Sequence, residues 1–257
     1  MLSKTLDELV NQELKDTNYG RILILNKFEE LILNLNLNKK ICIAVVGGSK
    51  NEPELLLLEK LGFKLEITTF GIEESDDIFF DLNEDNNPEI TKYDLVICGQ
   101  VLEHIWNVDN FVKNIYKIMN SKSYTFIHCP KSNIHHGHTY YSAGYSKEFM
   151  LKIFNNTNIL DYGELGTPRL YASIHLLKEW ITTREAVMGK INYRTWYSYL
   201  WNLNNSKPRI SKFNKAIKYK LSFKRLLINK ILKDLSNNQN DDQLINSETF
   251  IFFKLKL

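Results

Sequence analysis

The sequence predicts an α/β protein with a doubly wound, mostly parallel sheet of seven strands. Between residues 40 and 165, short apolar and β-branched runs alternate with segments of helical periodicity, which is the pattern of such sheets. One run, residues 95–98, stops at a polar stretch that leads into an amphipathic helix, as a buried parallel strand does before its crossover helix. Ligands of open α/β sheets bind at the carboxyl ends of the strands, so we expect the site at this edge.

The composition agrees with a packed globular protein and limits its class. A chain of 257 residues, 44% of them hydrophobic, holds one large α/β domain or a core domain with an elaboration. The first residues are charged and amphipathic, and no run approaches about 18 uncharged apolar residues, so we expect neither a secretory signal nor a membrane span. All cysteines fall in apolar runs, and we interpret Cys42, Cys98 and Cys129 as reduced core residues of a cytoplasmic protein.

The predicted elements follow in order along the chain. Residues 1–37 have the pattern of two helices, separated by an Asn-Tyr-Gly break near residue 18. Apolar periodicity then predicts strands over 41–46, 64–70, 77–82, 95–98, 124–129 and 159–165, and helices over 52–61, 109–119 and 146–155. We therefore assign residues 1–37 to N-terminal helices and residues 38–166 to the core.

The alternation of strands and helices stops after Gly166. Residues 167–246 have the pattern of several helices and are predicted to form a helical insertion. The run TFIFFKLKL at 249–257 is again typical of a strand. Because a last strand returning after the insertion would complete a seven-stranded sheet, residues 247–257 are assigned to the core together with 38–166.

Four motifs in residues 41–165 resemble those of the class I S-adenosylmethionine-dependent methyltransferases, in particular the type 11/12 branch. They are VVGGS at 45–49, FFDLNE at 79–84, YDLVICGQVLEHI at 93–105 and HCPKSN at 128–133. The third motif is the most specific, and the resemblance covers about half of the chain. It implies the Rossmann-like methyltransferase fold, with S-adenosyl-L-methionine as the cofactor.

The resemblance also implies which residues bind the cofactor. Glycines at 47 and 48 would let the backbone approach the methionine moiety, although a simple tight turn explains them equally well. Asp81 would accept a hydrogen bond from the adenine amino group, and the backbone N–H of Leu82 would bind the ring. The implied cofactor-binding residues are Gly47, Gly48, Glu73, Asp81, Leu82, Gly99 and Gln100, of which the last two would line the methionine and methyl end.

The sequence departs from the family pattern at three positions. Val45 stands where the family places an acid before the first glycine, and Ser49 stands for the second glycine of G-x-G. Gly71 stands for the acid that holds the ribose hydroxyls, and Glu73 or Glu74 is available slightly further along. These departures leave open a reduced affinity for the cofactor, or a methyltransferase-like protein that no longer binds it.

Histidines near the expected site are candidates for a general base. Methyl transfer from a sulfonium is an in-line displacement, which requires an aligned nucleophile and, for a hydroxyl, the removal of its proton. His104 follows the fourth strand, and His135 and His136 lie in the loop after the fifth. These three are the predicted catalytic residues.

A divalent metal site at the same edge is an alternative reading. Some members of the family bind a cation through an E-x-x-E-H pattern and a later histidine. The matching candidates are Glu103, His104 and His138, but Gln100 replaces the first carboxylate and is a poor ligand for a hard cation. A third reading is that these residues only orient the following helix and that the histidine-rich loop is solvated.

The predicted insertion contains a strongly basic segment. Residues 207–233 include ten Lys or Arg and no Asp or Glu, with apolar residues at helical spacing. Such a face attracts phosphate-bearing partners, such as a nucleotide-linked glycan, a nucleic acid or an anionic membrane surface, or is simply solvated. Because no recognised RNA-binding module accompanies it, we favour a small anionic or glycan-type acceptor over RNA.

Together these observations predict an S-adenosylmethionine-dependent methyltransferase that is O-directed. The expected acceptor is a capsule or other surface polysaccharide, or a nucleotide-linked precursor of one. An RNA 2′-O-methyltransferase is the alternative enzyme, and a non-catalytic methyltransferase-like binding protein is the alternative outside catalysis. The sequence leaves the acceptor atom, the metal and the oligomeric state open.

Overall fold

The structure, a computed structural model, describes residues 3–14, 19–131, 141–165 and 248–256. Its strands are β1 (Lys40–Val46), β2 (Lys64–Gly71), β3 (Ile78–Phe79), β4 (Leu95–Gly99), β5 (Tyr124–Pro130), β6 (Thr157–Leu165) and β7 (Glu248–Leu255). Its helices are α1 (Lys4–Gln12), α2 (Tyr19–Leu33), α3 (Pro53–Lys60), α4 (Val108–Ile118) and α5 (Lys147–Ile153), with a 3₁₀ turn at Leu102–His104. These elements belong to one unit, residues 1–166 and 246–257.

The seven strands form one sheet in the order β3-β2-β1-β4-β5-β7-β6. Strands β1 to β5 pair in parallel, whereas β7 runs antiparallel to both of its neighbours. The prediction of a mostly parallel seven-stranded sheet is therefore confirmed, and the antiparallel β7 makes the sheet mixed. Residues 166–247 lie outside the described part, so the helical insertion and the domain boundaries stay predictions.

Helices cover both faces of the sheet, and β1 shows how its side chains alternate between the two cores. Ala44 and Val46 point into a core that residues of α4 and α5 complete. Ile43 and Val45 point into a second core with residues of α1, α2 and α3. This arrangement is the doubly wound packing that the alternation of elements predicts.

The cysteines are free thiols in or near these cores. Cys98 and Cys129 are buried, as predicted, whereas Cys42 is only partly buried. Its Sγ lies 3.2 Å from Glu66 Oε2 at the edge of the core. Among the described residues, no helix is both long and apolar enough to cross a membrane.

Most predicted elements end within about two residues of the observed ones, but β3 is much shorter than the predicted strand over 77–82. The chain turns away after Phe80 because the side-chain amides of Asn87 and Asn114 donate to carbonyl oxygens of residues 81–84, which therefore pair with no strand. The 3₁₀ turn was not predicted. Leu102 is buried within it, and the turn places Glu103 and His104 directly after β4.

Candidate functional site

A cavity of about 650 Å³ opens at the carboxyl ends of β1, β2 and β4. Its size and position are those of a small-molecule site in an open α/β sheet. Seven of the predicted site residues line it: Gly47, Gly48, Glu73, Asp81, Leu82, Gln100 and His104. Gly99 and Glu103 are not among the lining residues.

The turn after β1 requires glycine for two different reasons. Gly47 has φ 69°, and a Cβ there would lie 2.7 Å from Val101 Cγ2. A Cβ at Gly48 would lie 2.9 Å from Glu52 Oε1. The two glycines thus let the turn pack closely against its neighbours and leave its backbone at the cavity surface.

Glu52 is a carboxylate beside the turn after β1, outside the cavity lining, that no motif in the sequence singled out. It immediately precedes α3, whose first residue is Pro53. Its Oε1 accepts a hydrogen bond from the backbone N–H of Ser49 at 3.2 Å, and its Oε2 accepts one from Arg21 at 2.9 Å. A carboxylate therefore occupies the turn into α3, where a dinucleotide-binding fold places the pyrophosphate of its ligand.

The ionisable side chains that line the cavity are mostly acidic. The carboxylates are those of Glu73, Asp76 and Asp81, and Lys50 is the cation besides any charge on His104. Lys50 is itself paired with Asp77 at 2.8 Å. The cavity therefore favours a ligand that carries positive charge.

Asp76 holds the place of the acid that is missing at Gly71. A Cβ on Gly71 would collide with the Asp76 carboxylate, with Cγ only 2.9 Å away. The same carboxylate accepts the backbone N–H of Glu73 at 3.0 Å, which closes the loop after β2. Asp76 is half-buried and Glu73 is exposed, and both line the cavity, so Asp76 joins the predicted Glu73 as a candidate for this role. In the sequence, the indication for Asp76 is that Gly71 is followed by several acidic residues.

The segment with Asp81 and Leu82 is anchored to α4. The side-chain amide of Asn114, which is fully buried, donates to the carbonyl oxygens of Leu82 at 3.1 Å and Glu84 at 2.7 Å. Asp81 Oδ1 accepts the backbone N–H of Asn83 at 2.9 Å. These bonds hold the loop against the helix and keep both predicted adenine-binding residues at the cavity.

Gly99 has a different surrounding from the one that the resemblance implies. A Cβ at this position would collide with His128 Nε2 and lie 2.9 Å from Arg21 Nη1. Glycine is therefore needed for the side chains packed behind the cavity. The next residue, Gln100, has φ 59° and lines the cavity itself.

Behind Gln100 lies a buried charged cluster that no motif in the sequence predicts. Arg21 Nη2 donates to Glu54 Oε2 at 2.8 Å, and Arg21 Nη1 lies 2.6 Å from His128 Nε2. Burial alone would raise the pKa of Glu54, but Arg21 and His128 outweigh it and lower that pKa to about 2. Burial and the Arg21 charge lower the pKa of His128 to about 4, so this histidine is neutral near pH 7.

Of the predicted catalytic and metal-binding histidines, the structure places His104 at the cavity. Its Nε2 lies 4.0 Å from Oε1 of the fully buried Glu103. His135, His136 and His138 lie outside the described residues, so their roles stay predictions. Within the described ranges, no group of three or more His, Cys, Asp or Glu side chains has an arrangement that would hold a metal ion. His128, predicted inside the fifth strand, is indeed buried in β5.

No family model and no curated protein matches this chain. Solved structures match at low identity. The crystal structure of the [4+2]-cyclase SpnF is 11% identical over 94% of this chain and 85% of that one, with a TM-score of 0.51. A SAM-dependent methyltransferase from Archaeoglobus fulgidus is 13% identical over 96% of this chain and 99% of its own, with a TM-score of 0.47. TehB from Haemophilus influenzae is 11% identical over 98% of this chain and 68% of its own, with a TM-score of 0.47. At these identities the likenesses concern the fold alone.

Proposed function

We propose that this chain binds S-adenosyl-L-methionine in the cavity and transfers its methyl group. The observation that carries the proposal is the acidic lining, together with the Glu52 carboxylate in the turn before α3. S-adenosylmethionine carries a sulfonium and an ammonium group, which such a surface attracts. NAD and FAD carry a pyrophosphate, which the same surface repels.

In this proposal, different lining residues bind different parts of the cofactor. The backbone of Gly47 and Gly48 approaches the methionine moiety, and the loop with Asp81 and Leu82 binds the adenine. We assign the ribose hydroxyls to Asp76 because its half-buried carboxylate fills the place that the family's strand-end acid would occupy. A carboxylate that accepts hydrogen bonds from two hydroxyls contributes both affinity and orientation.

The reaction that we propose is O-methylation of a small anionic or glycan-type acceptor, such as a surface polysaccharide or a nucleotide-linked precursor. The support is the basic sequence at 207–233, which would attract phosphate or uronate groups. His104 is our candidate for the general base because it lines the cavity, with His135 and His136 as sequence-based alternatives. A bound metal, with His138 as a ligand, is not needed for this chemistry.

Three other functions are candidates. The same basic segment would suit an RNA 2′-O-methyltransferase. A non-catalytic binding role is motivated by the departures at Val45, Ser49 and Gly71. A reaction other than methyl transfer is motivated by SpnF, which matches the fold and is named as a [4+2]-cyclase. One fold carries several reactions, so the cofactor must be tested directly.

Isothermal titration calorimetry with S-adenosylmethionine, S-adenosylhomocysteine and NAD⁺ tests the proposal. We expect the first two to bind and NAD⁺ not to bind. Asp76→Asn should weaken S-adenosylmethionine by about tenfold or more, since a charge-assisted hydrogen bond is lost. The matched control is Glu74→Gln, in the same loop but outside the cavity lining, which should bind like the wild type. Absence of binding by both sulfur compounds would contradict the proposal, and tight binding of NAD⁺ would replace it.

A further inference from the structure

Gln100 joins the cavity to the buried charged cluster. Its side-chain Nε2 lies 3.0 Å from Glu248 Oε2 and 3.2 Å from His128 Nδ1. Its backbone N–H donates to the carbonyl oxygen of His128, and its φ of 59° is a conformation that residues other than glycine rarely adopt. Such a conformation persists only where the surrounding contacts fix it.

In this arrangement both hydrogens of the Gln100 amide point into the cluster. The remaining polar atom of the side chain, Oε1, has no hydrogen-bond partner within the part of the chain that the structure describes. Because Gln100 also lines the cavity, its carbonyl oxygen is the group that the side chain offers to a ligand. The floor of the cavity is then a hydrogen-bond acceptor.

His128 shows that the cluster has a second hydrogen-bonding arrangement. Its Nε2 lies 2.6 Å from the Arg21 guanidinium, which can only donate, and 3.2 Å from Glu54 Oε1, which can only accept and which receives no well-directed hydrogen bond among the described residues. One nitrogen of a neutral imidazole cannot do both. If Nε2–H donates to Glu54, Nδ1 accepts from Gln100. If Nε2 accepts from Arg21, Nδ1 carries the proton and requires the amide oxygen of Gln100 instead.

Glu248 completes each arrangement in a different protonation state. An ionised Glu248 carboxylate accepts a hydrogen bond from the Gln100 amide nitrogen, which lies 3.0 Å from Glu248 Oε2. A protonated Glu248 donates, which requires the amide oxygen to face it, together with the protonated Nδ1 of His128. In the second case the amide inverts, and its NH₂ group points into the cavity.

We propose that Glu248, His128 and Gln100 form a two-state switch in which a proton on Glu248 decides which end of the Gln100 amide faces the cavity. The floor offers a carbonyl oxygen to a hydroxyl or ammonium group when Glu248 is ionised. It offers an NH₂ group to a carboxylate or carbonyl when Glu248 is protonated. Glu248 and His128 are positioning residues, because they act on the ligand through Gln100.

The charges around Glu248 place this switch in the physiological range. Burial raises the pKa of Glu248 to about 7, and the Gln100 hydrogen bond and the Arg21 charge oppose that rise. The buried Glu103 carboxylate, on the 3₁₀ turn, adds to it. The facing groups thus come from α2, the end of β4, the 3₁₀ turn and β5, and Glu248 changes its charge between about pH 6 and pH 8.

Selective ¹⁵N labelling of glutamine side chains tests the switch in the full chain. The chain has glutamines at 12, 100, 239 and 243, and Gln100→Leu identifies the Gln100 NH₂ resonances by their loss. Gln12 is exposed and serves as the internal reference. Relative to Gln12, we expect exchange of the Gln100 NH₂ protons with water to become at least about tenfold faster between about pH 8.5 and pH 5.5, with a midpoint near 7.

Glu248→Met keeps the side-chain length, removes the titrating group and should abolish the step near pH 7. A wild type with no change in relative exchange across this range would overturn the switch. A step that persists in Glu248→Met would also overturn it, since another group would then be responsible. The measurement needs neither cofactor nor acceptor, so a failure of S-adenosylmethionine to bind would remove the proposed function and leave this inference standing.

Discussion

Gly71→Ala is the sharpest test of the role that we propose for Asp76 in binding S-adenosylmethionine. The backbone of Gly71 is not left-handed, so alanine fits the strand, but the new methyl group would collide with the carboxylate of Asp76. The colliding atoms end a side chain on a loop, and a carboxylate moves more cheaply than a strand of the sheet. We therefore expect the substitution to displace Asp76 while leaving every proposed ligand in the sequence.

The expected magnitudes follow from the bonds that change. A hydrogen bond to a charged group is worth about 1.5–3 kcal/mol, so the affinity for S-adenosylmethionine should fall by about 10- to 150-fold. The unfolding free energy should change by less than about 1 kcal/mol. The hydrogen bond from the Glu73 N–H to Asp76 is weakened, but alanine is favoured over glycine in a strand by a similar amount.

Calorimetry measures the affinity for S-adenosylmethionine and urea unfolding measures the stability of four proteins. Together they separate the displacement of Asp76 from a general loss of stability. The four proteins are the wild type, Gly71→Ala, Asp76→Asn and Gly163→Ala, the last being a glycine of β6 outside the cavity lining. We expect the two cavity variants to lose similar affinity and Gly163→Ala to bind like the wild type. If Asp76→Asn weakened binding and Gly71→Ala did not, the added methyl group would not displace Asp76. If neither weakened it, Asp76 would not be a ligand.

Three further variants test the surroundings of the cavity. The pKa of Glu54, lowered from 4.5 to about 2, corresponds to about 3 kcal/mol of stability, which is present above pH 4.5 and lost as the pH falls towards 2. Glu54→Gln should therefore lower the unfolding free energy by about this amount at pH 7 but much less near pH 2. The control Glu66→Gln, at a solvent-exposed ion pair, should leave the urea unfolding curve close to that of the wild type at both pH values. Asn114→Leu should destabilise the fold by about 1–3 kcal/mol and also weaken S-adenosylmethionine in calorimetry, because the carbonyls of the Asp81 loop lose their donor. His104→Ala should leave cofactor affinity unchanged and slow methyl transfer to an identified acceptor by about 10²–10⁴-fold, and unchanged turnover would remove its role as the base.

The fold could be predicted because its signals are local. Residues 41–46 are apolar on both sides of the chain, as a central parallel strand must be, and the helix over 108–118 alternates apolar and polar faces. The third strand was overestimated because FFDL has the periodicity of a strand. What ends it is the amide of Asn114, which lies 32 residues further along the chain than Leu82.

Residues of the cavity could be predicted only where their position in the sequence, shortly after a strand, indicates that they lie at the edge of the sheet. Gly47 and Gln100 directly follow strand ends, Asp81 lies two residues after β3, and the structure places all three at one cavity. Arg21 and Glu52 reach the site from helices or turns elsewhere in the chain, and their approach depends on how α2 and α3 pack on the sheet. No spacing in the sequence records that packing. The only local indication of either residue in the sequence is that Glu52 is an acid immediately before a helix that begins with proline.

The departures from the methyltransferase pattern are weaker evidence against cofactor binding than the sequence alone suggests. Gly71 lacks the strand-end acid, but the Asp76 carboxylate fills the volume in which that side chain would lie. Val45 lacks the acid before the first glycine and faces the apolar core, yet the Glu52 carboxylate reaches the same turn from the other side. Negative charge is thus supplied to both positions from a different residue. Each carboxylate is held by hydrogen bonds within the protein, Asp76 by the Glu73 N–H and Glu52 by the Ser49 N–H and Arg21, so both acids keep their places whether or not a ligand is bound. The test of the departures is therefore the affinity for S-adenosylmethionine itself, to which a carboxylate at the cavity surface contributes by attracting positive charge.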